Sequence, residues 1–338
     1  MTDHRLTTPS AFGARGSNPD FLLEPSFAPG RATLEYDFPG VLVGTAEYAA
    51  GPTGATVISV PKGARTAVDA RGGATGVSGA YSFNHAICLA GGSVYGLSAA
   101  AGVSAALLHR VDNRASFAEL QLVSGAIIYD LSVRENSVYP DAALGAAALE
   151  AASPDTIRLG RVGGGASASA GKVEYARTEF TGQGAAFRQV GDVKVLVVTI
   201  VNPYGVIVDR DGVIVRGNFD RETGTRRHPT EDYALALAEH DFPASTAGNT
   251  TITAVVTNVA LTDRELDQFA IQVHSSMHRA IQPFHTALDG DTLFALTTDE
   301  LELPVDQSSR HGGLSVNATA IGAIASEAAW DAVLSAAE

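Results

Sequence analysis

Cysteine is nearly absent from this 338-residue chain. Cys88 stands alone, which rules out an intramolecular disulfide and any cysteine-built zinc site. Basic residues are scarce too: 23 Lys and Arg face 37 Asp and Glu, a net charge of −14. That balance argues against nucleic acid or an anionic membrane as a partner. No apolar run approaches the about 18 residues of a membrane span. Met1-Thr2-Asp3-His4-Arg5-Leu6 opens no apolar signal-peptide core. These absences together predict a cytoplasmic protein. What is plentiful is small and apolar. Apolar residues make up 45% of the chain and Gly occurs 35 times, enough for a large core with tight helix packing and many turns.

Residues 1–31 are polar and Pro/Gly-containing and predict a loosely ordered arm; residues 32–338 predict a single domain, since no internal repeat or low-complexity linker divides them. Leu34 to Tyr48 reads as strand with a turn at Pro39-Gly40. Thr56–Val60 and Thr66–Ala70 read as two short strands parted by a Pro61-Lys62-Gly63 turn. From Asn84 to Arg110 the pattern is small, apolar and helical, interrupted at Gly91-Gly92-Ser93. The β-branched run Val193–Val201 predicts a central strand covered on both faces. A hairpin around Arg210-Asp211-Gly212, a short helix over Glu231–Glu239 and a strand over Thr250–Val259 follow. Thr262 and Glu265 form a capping-box pattern opening a helix to Ile281. Thr292–Thr298 reads as strand and Val316–Ala336 as an amphipathic helix. Interleaved strands and helix blocks predict layered α/β architecture, with two sheets between helix layers.

Several segments invite chemistry. Gly163 to Lys172 resembles a phosphate loop, but Ala166 stands five residues before Gly171 and Val173 follows the lysine, so the required spacing and the magnesium hydroxyl are both missing. Ser169-Ala170-Gly171-Lys172 matches S-x-x-K without the other motifs of serine acyl-transfer enzymes. Lys172 is an unusual lysine in its Gly/Ala/Ser loop, and a buried amine there could orient a hydroxyl. His274 and His278, with His285, Asp289 and Asp291, could hold a metal but lack the glutamate of H-E-x-x-H; polar-face histidines account for them as well. Asp289-Gly290-Asp291 reads as a turn before a strand, or as two carboxylates directed to one side if extended. At Gly248-Asn249-Thr250 a turn runs into a hydroxyl residue. A loop entering a strand explains it. If the Asn249–Thr250 bond is cut, however, Thr250 carries its nucleophile and a base on one residue, because an α-amine titrates at about 8.

Taken in order, Pro39-Gly40-Val41, Asp69-Ala70-Arg71-Gly72-Gly73, Leu89-Ala90-Gly91-Gly92-Ser93, Gly163 to Lys172, Val201-Asn202-Pro203, Asn249-Thr250-Thr251-Ile252 and Pro283-Phe284-His285-Thr286 to Phe294 resemble the self-processing aminopeptidases of the L-aminopeptidase/D-amidase and β-aminopeptidase type. Within that family the chain is most similar to the nylon-oligomer hydrolases, through Phe83 to Cys88 and Val273 to Arg279. Thr250 stands where β-aminopeptidases carry Ser, and Asp289 and Asp291 where they carry Ser and Glu.

The resemblance implies a four-layer αββα sandwich of the N-terminal-nucleophile kind. It implies a self-cut between Asn249 and Thr250 into residues 1–249 and 250–338, with Thr250 then the nucleophile and its α-amine the base. Lys172, Asp289 and Asp291 would orient and tune Thr250, and Tyr129 and Asn202 would donate to the tetrahedral oxyanion. The implied reaction is endo-type hydrolysis of 6-aminohexanoate oligomers through an acyl-enzyme, without metal or organic cofactor, in a tetramer of processed heterodimers. The alternative is an aminopeptidase acting on β- or D-amino acid amides.

Overall fold

The computed structural model describes residues 16–241, 248–304 and 316–337. Its frame is a nine-stranded sheet. Eight of its strands are β1 (Leu42–Tyr48), β2 (Thr53–Ala70), β3 (Phe83–Ala90), β4 (Val123–Ile127), β5 (Gln183–Val190), β6 (Val193–Asn202), β7 (Thr250–Val259) and β8 (Thr292–Leu301). They run β5-β6-β7-β8-β2-β3-β4, with Val77–Ser78 beyond β4 and β1 paired to β2. Among the described residues five α-helices accompany them: α1 (Ser98–Arg110), α2 (Ala142–Glu150), α3 (Pro229–Glu239), α4 (Asp263–Ser276) and α5 (Val316–Ala337).

Alternation along the strands makes three cores out of this one sheet. Val195 and Val197 of β6, Val255 of β7 and Leu293 of β8 face Leu266, Phe269 and Val273 of α4 and Ile321 and Val333 of α5. The intervening residues Leu196, Val198, Ile200, Ile252, Val256 and Phe294 point the other way, into a core shared with Val43, Ile58, Val60, Ile87 and Leu89. The far face of β1, the start of β2 and β3, through Tyr48, Val57 and Cys88, lies under Val103 and Leu107 of α1 and Leu144 and Leu149 of α2. The order is therefore helix, sheet, sheet, helix, the expected αββα sandwich. Val195–Val201 is buried on both faces, as the β-branched run over Val193–Val201 predicts, while Val193 and Lys194 at its start are half-buried.

Two expectations change. The two short strands and their turn are one 18-residue strand, β2. Its pairing register with β3 shifts between Ser59 and Ala64. Pro61 and Gly63, the latter at φ +78°, make an irregularity that bends the strand rather than ending it. The two sheet layers are therefore one hydrogen-bonded sheet folded at β2, whose first half pairs with β1 and whose second half pairs with β8. The helix expected from Asn84 begins only at Ser98, because Phe83–Ala90 is strand β3. A short apolar run of small residues carries no periodicity that tells a buried strand from a buried helix.

The capping box at Thr262 and Glu265 is present, with the Thr262 side chain accepting from Glu265 N. Of the expected loose arm, residues 16–31 are tied down. Asn18 Nδ2 donates to Tyr139 O at 3.0 Å and Ala28 N to Glu47 Oε2 at 2.8 Å, and Arg31 N donates to Leu159 O at 2.8 Å. Residues 1–15 lie outside the described residues.

Candidate functional site

Strand direction brings the site together. β6 runs antiparallel to β7, and β8 runs parallel to it. The last residue of β6, the first of β7 and the residues just before β8 must then share one edge. Asn202 is the register partner of Thr250, and Asn249 bridges to Asp289. Asn202, Asn249, Thr250, Asp289 and Asp291 are all buried, Thr250 at 3% exposure.

The Asn249–Thr250 peptide is held from both sides. The Thr250 hydroxyl donates to the Asn249 carbonyl oxygen, and Gly290 N donates to that same oxygen at 2.8 Å. Two donors on one amide oxygen polarise the carbonyl, and a backbone N–H fixed in place serves the oxyanion that attack would form. Gly248 takes φ +97°, and a Cβ there would fall 2.4 Å from Tyr129 Cγ, so only glycine lets the tyrosine ring lie against the chain entering the Asn249–Thr250 bond.

Lys172 reaches the site from its glycine-rich loop. Gly171 is at φ +74°, and a Cβ on it would meet Asn218 N at 2.0 Å, so the loop packs backbone to backbone and aims the next side chain inward. Lys172 Nζ donates to Asn202 Oδ1 at 2.8 Å and to Asn202 O at 3.0 Å. Asn202 Oδ1 also accepts from Ser169 N at 3.1 Å, while its Nδ2 donates to Tyr129 O at 3.2 Å. Burial lowers the amine to about 7, against the opposing pull of Asp289, Asp130 and Asp291. A lysine near 7 is poised to give or take a proton at neutral pH.

The two carboxyl groups come from the turn just before β8 and are held by hydrogen bonds beside Thr250. Asp289 Oδ1 accepts from Tyr204 N at 3.1 Å, and its Oδ2 accepts from Thr286 N at 3.1 Å and Thr286 Oγ1 at 2.5 Å. Asp291 Oδ1 accepts from Thr251 N at 2.7 Å; its Oδ2 accepts from His285 N at 3.0 Å and lies 2.9 Å from His285 Nδ1. Burial first, and the neighbouring Asp289 second, raise the Asp291 carboxyl to about 8.

The residues singled out in the sequence therefore meet around one peptide bond. Tyr129 arrives by its ring against Gly248 and its carbonyl on Asn202, and the donor on the Asn249 oxygen is Gly290. Three contributors were not read from the sequence. They are the Gly290 N–H, the His285 contact with Asp291, and Asp130, whose carboxylate holds Gly92 N, Thr53 Oγ1 and the fully buried Arg134 beside Tyr129. A backbone donor leaves no sequence signal. Asp130 and Arg134 do, at i,i+4, but only burial makes the pair noteworthy. Among the described residues no group of three His, Cys, Asp or Glu is placed to hold a metal ion, so His274, His278 and His285 do not join Asp289 and Asp291 as a ligand set.

The model of peptidase family S58 matches residues 36–338. A 6-aminohexanoate-oligomer endohydrolase of Paenarthrobacter ureafaciens is 64% identical over 332 residues, covering 98% of this chain and 93% of that protein. Among solved structures, the L-aminopeptidase D-Ala-esterase/amidase of Ochrobactrum anthropi, described as a variant of the Ntn hydrolase fold, superposes with a TM-score of 0.63 at 15% identity, over 88% of this chain and 83% of that one. A Burkholderia sp. β-aminopeptidase gives a TM-score of 0.60 at 18% identity, over 92% of this chain and 88% of that one. These two likenesses speak for the fold alone.

Proposed function

The chain belongs to peptidase family S58, and from that premise we propose that it is a self-processing threonine amidase acting inside oligomers of 6-aminohexanoate. The relative that is 64% identical over nearly the whole chain carries that activity in its name and supports this choice of substrate. The observation that carries the mechanism is the Asn249 carbonyl oxygen, which accepts from both the Thr250 hydroxyl and Gly290 N.

In self-processing, Thr250 Oγ1 attacks the carbonyl carbon of Asn249. The carbonyl electrons move to the oxygen, where Gly290 N–H meets the charge. The C–N bond then breaks, and the Thr250 nitrogen leaves with the proton that Oγ1 gave up. The resulting ester joins Asn249 to the Thr250 oxygen, and water opens it to a carboxyl group at 249 and a free amine at 250. In turnover that amine takes the Oγ1 proton as Oγ1 attacks a substrate amide. The leaving amine receives the proton, and water releases the acyl group from Thr250. Lys172, Asp289 and Asp291 orient and tune Thr250, and Asn202 and Tyr129 assist the oxyanion. The processed parts are residues 1–249 and 250–338 of one hydrolase domain, assembled as a cytoplasmic tetramer of heterodimers. No helix of the described residues is long and apolar enough to cross a membrane.

Intact-protein mass spectrometry tests the reading. The purified chain is expected as two fragments meeting at Asn249/Thr250, and Thr250→Ala as one uncut species. An uncut native chain after long incubation sinks it. Incubation with a 6-aminohexanoate oligomer tests the substrate: early products of intermediate length mark internal cleavage. Loss of one unit at a time from the amino end favours the aminopeptidase alternative.

A further inference from the structure

His285 adopts φ +57°, a left-handed backbone that few side chains tolerate, His, Asn and Asp most readily. That conformation points two donors of one residue at one oxygen: the backbone N–H lies 3.0 Å and ring Nδ1 2.9 Å from Asp291 Oδ2. The ring is clamped. Phe284 stacks on it at 3.9 Å between centroids, while His274 and His278 meet it edge-on at 4.3 and 4.8 Å. His274 is fully buried, with its own Nδ1 2.9 Å from Asp69 Oδ2. Nε2 of both His274 and His285 is buried without a protein hydrogen-bond partner among the described residues. An unpaired buried N–H is costlier than an unpaired lone pair, so the proton of each neutral ring belongs on Nδ1, where it is donated to a carboxyl oxygen.

We propose that His285 is a positioning residue for the Thr250 reaction: its backbone and ring N–H groups together fix Asp291 on Thr251 N, and His274, backed by Asp69, holds the ring in place. The inference rests on the reading of Thr250 as nucleophile only for its consequence in catalysis. Asp291 is thereby held from three directions one residue past the nucleophile. Three N–H donors favour the carboxylate over the acid, working against burial and Asp289. The groups facing the ring are His274 and His278 from α4 and the turn after it, Asp69 and Arg71 from the end of β2, and Asp289 and Asp291 before β8. Burial, then His278 and Arg71, lower the His285 imidazole to about 3, so it donates as a neutral ring.

The test is made first in the uncut Thr250→Ala chain, by carboxyl-carbon NMR of Asp291 across pH, with Asp291→Asn assigning the signal. His285→Gly keeps the backbone N–H and suits the left-handed conformation, and His285→Asn places an amide N–H close to where ring Nδ1–H lies. We expect His285→Gly to raise the Asp291 titration by about one to two pH units, the worth of one hydrogen bond to a charged acceptor. We expect His285→Asn to restore it. In the active chain the acid limb of the self-cleavage rate should move up by the same amount for His285→Gly and stay in place for His285→Asn. Imidazole-nitrogen NMR of the unsubstituted chain should show the His285 proton on Nδ1, and needs no variant to fold. A proton on Nε2, or an Asp291 titration unmoved by His285→Gly with only a uniform loss of rate, overturns the proposal. Failure of the nucleophile reading looks different: the native chain stays uncut while the Asp291 titration still responds.

Discussion

On one side of Thr250 a buried amine leans on a single residue; on the other, two buried carboxyl groups lean on several. Lys172 Nζ has Asn202 Oδ1 and Asn202 O as its hydrogen-bond acceptors. Asp289 and Asp291 each take two backbone N–H donors, from Tyr204 and Thr286 and from Thr251 and His285, before any side chain contributes. Backbone donors come with the fold and survive substitution of the residue that supplies them. A side-chain acceptor does not. The lysine side should therefore be brittle and the carboxylate side tolerant, although both are equally buried.

Asn202→Ala should give the largest effect. It removes the Oδ1 that holds Lys172 and Ser169 N, and the Nδ2 that holds Tyr129 O beside Gly248. Hydrolysis of a 6-aminohexanoate oligomer should fall roughly 10²–10³-fold, as when an oxyanion donor is lost. A loss of less than about tenfold in kcat would show that the amine does not depend on this one partner.

Asp289→Asn should cost less. The amide oxygen can still accept from Tyr204 N, and the Thr286 hydroxyl can turn to accept from the new NH2 group, so only the Thr286 N–H contact and the charge are lost. A fall of about tenfold in the rate of self-cleavage, read by gel densitometry over time, is the expected outcome. An effect as large as that of Asn202→Ala would erase the contrast between the two sides.

The same contrast explains how much was legible in the sequence. Side chains with chemistry of their own could be named as candidates: Thr250 after a Gly-Asn turn, Lys172 in a loop with no reason to hold a solvated lysine, and Asp289 and Asp291 at i,i+2. So could the strands that carry them, because Val193–Val201 and Thr250–Val259 are strongly β-branched. Lost to the sequence was whatever the backbone does. The Gly290 N–H on the Asn249 oxygen follows from the parallel pairing of β7 with β8, and no residue pattern encodes that pairing. Strand β3 was hidden because Ala86, Cys88 and Ala90 fit a helix and a strand equally well. The continuity of β2 was hidden because Pro61 and Gly63 punctuate a bend as they would a turn. For Tyr129 only the family resemblance gave a reason to choose it, since a tyrosine after an apolar run is otherwise an ordinary core-edge residue.

The last expected effect concerns stability rather than rate, and it isolates the lysine side from the carboxylate side. Lys172 titrates at about 7 in the fold, against 10.5 for an unperturbed lysine. Between those values the unfolded chain holds one more proton than the folded chain, so stability rises with pH across the window and is lost as pH falls toward 7. Asp291, raised from 3.8 to about 8, works in the opposite sense below that pH, because there the folded chain is the one that keeps the extra proton. Above about pH 8 its contribution is level, and the lysine can be read alone. Urea unfolding of the uncut Thr250→Ala chain, with and without Lys172→Met, should then show the lysine-containing chain gaining on the methionine variant from about pH 8 to 10. Two chains that keep a constant difference would mean that Lys172 titrates as an ordinary lysine. The amine would then be charged throughout the neutral range, and its part at Thr250 would be that of a fixed cation rather than of a group able to exchange a proton.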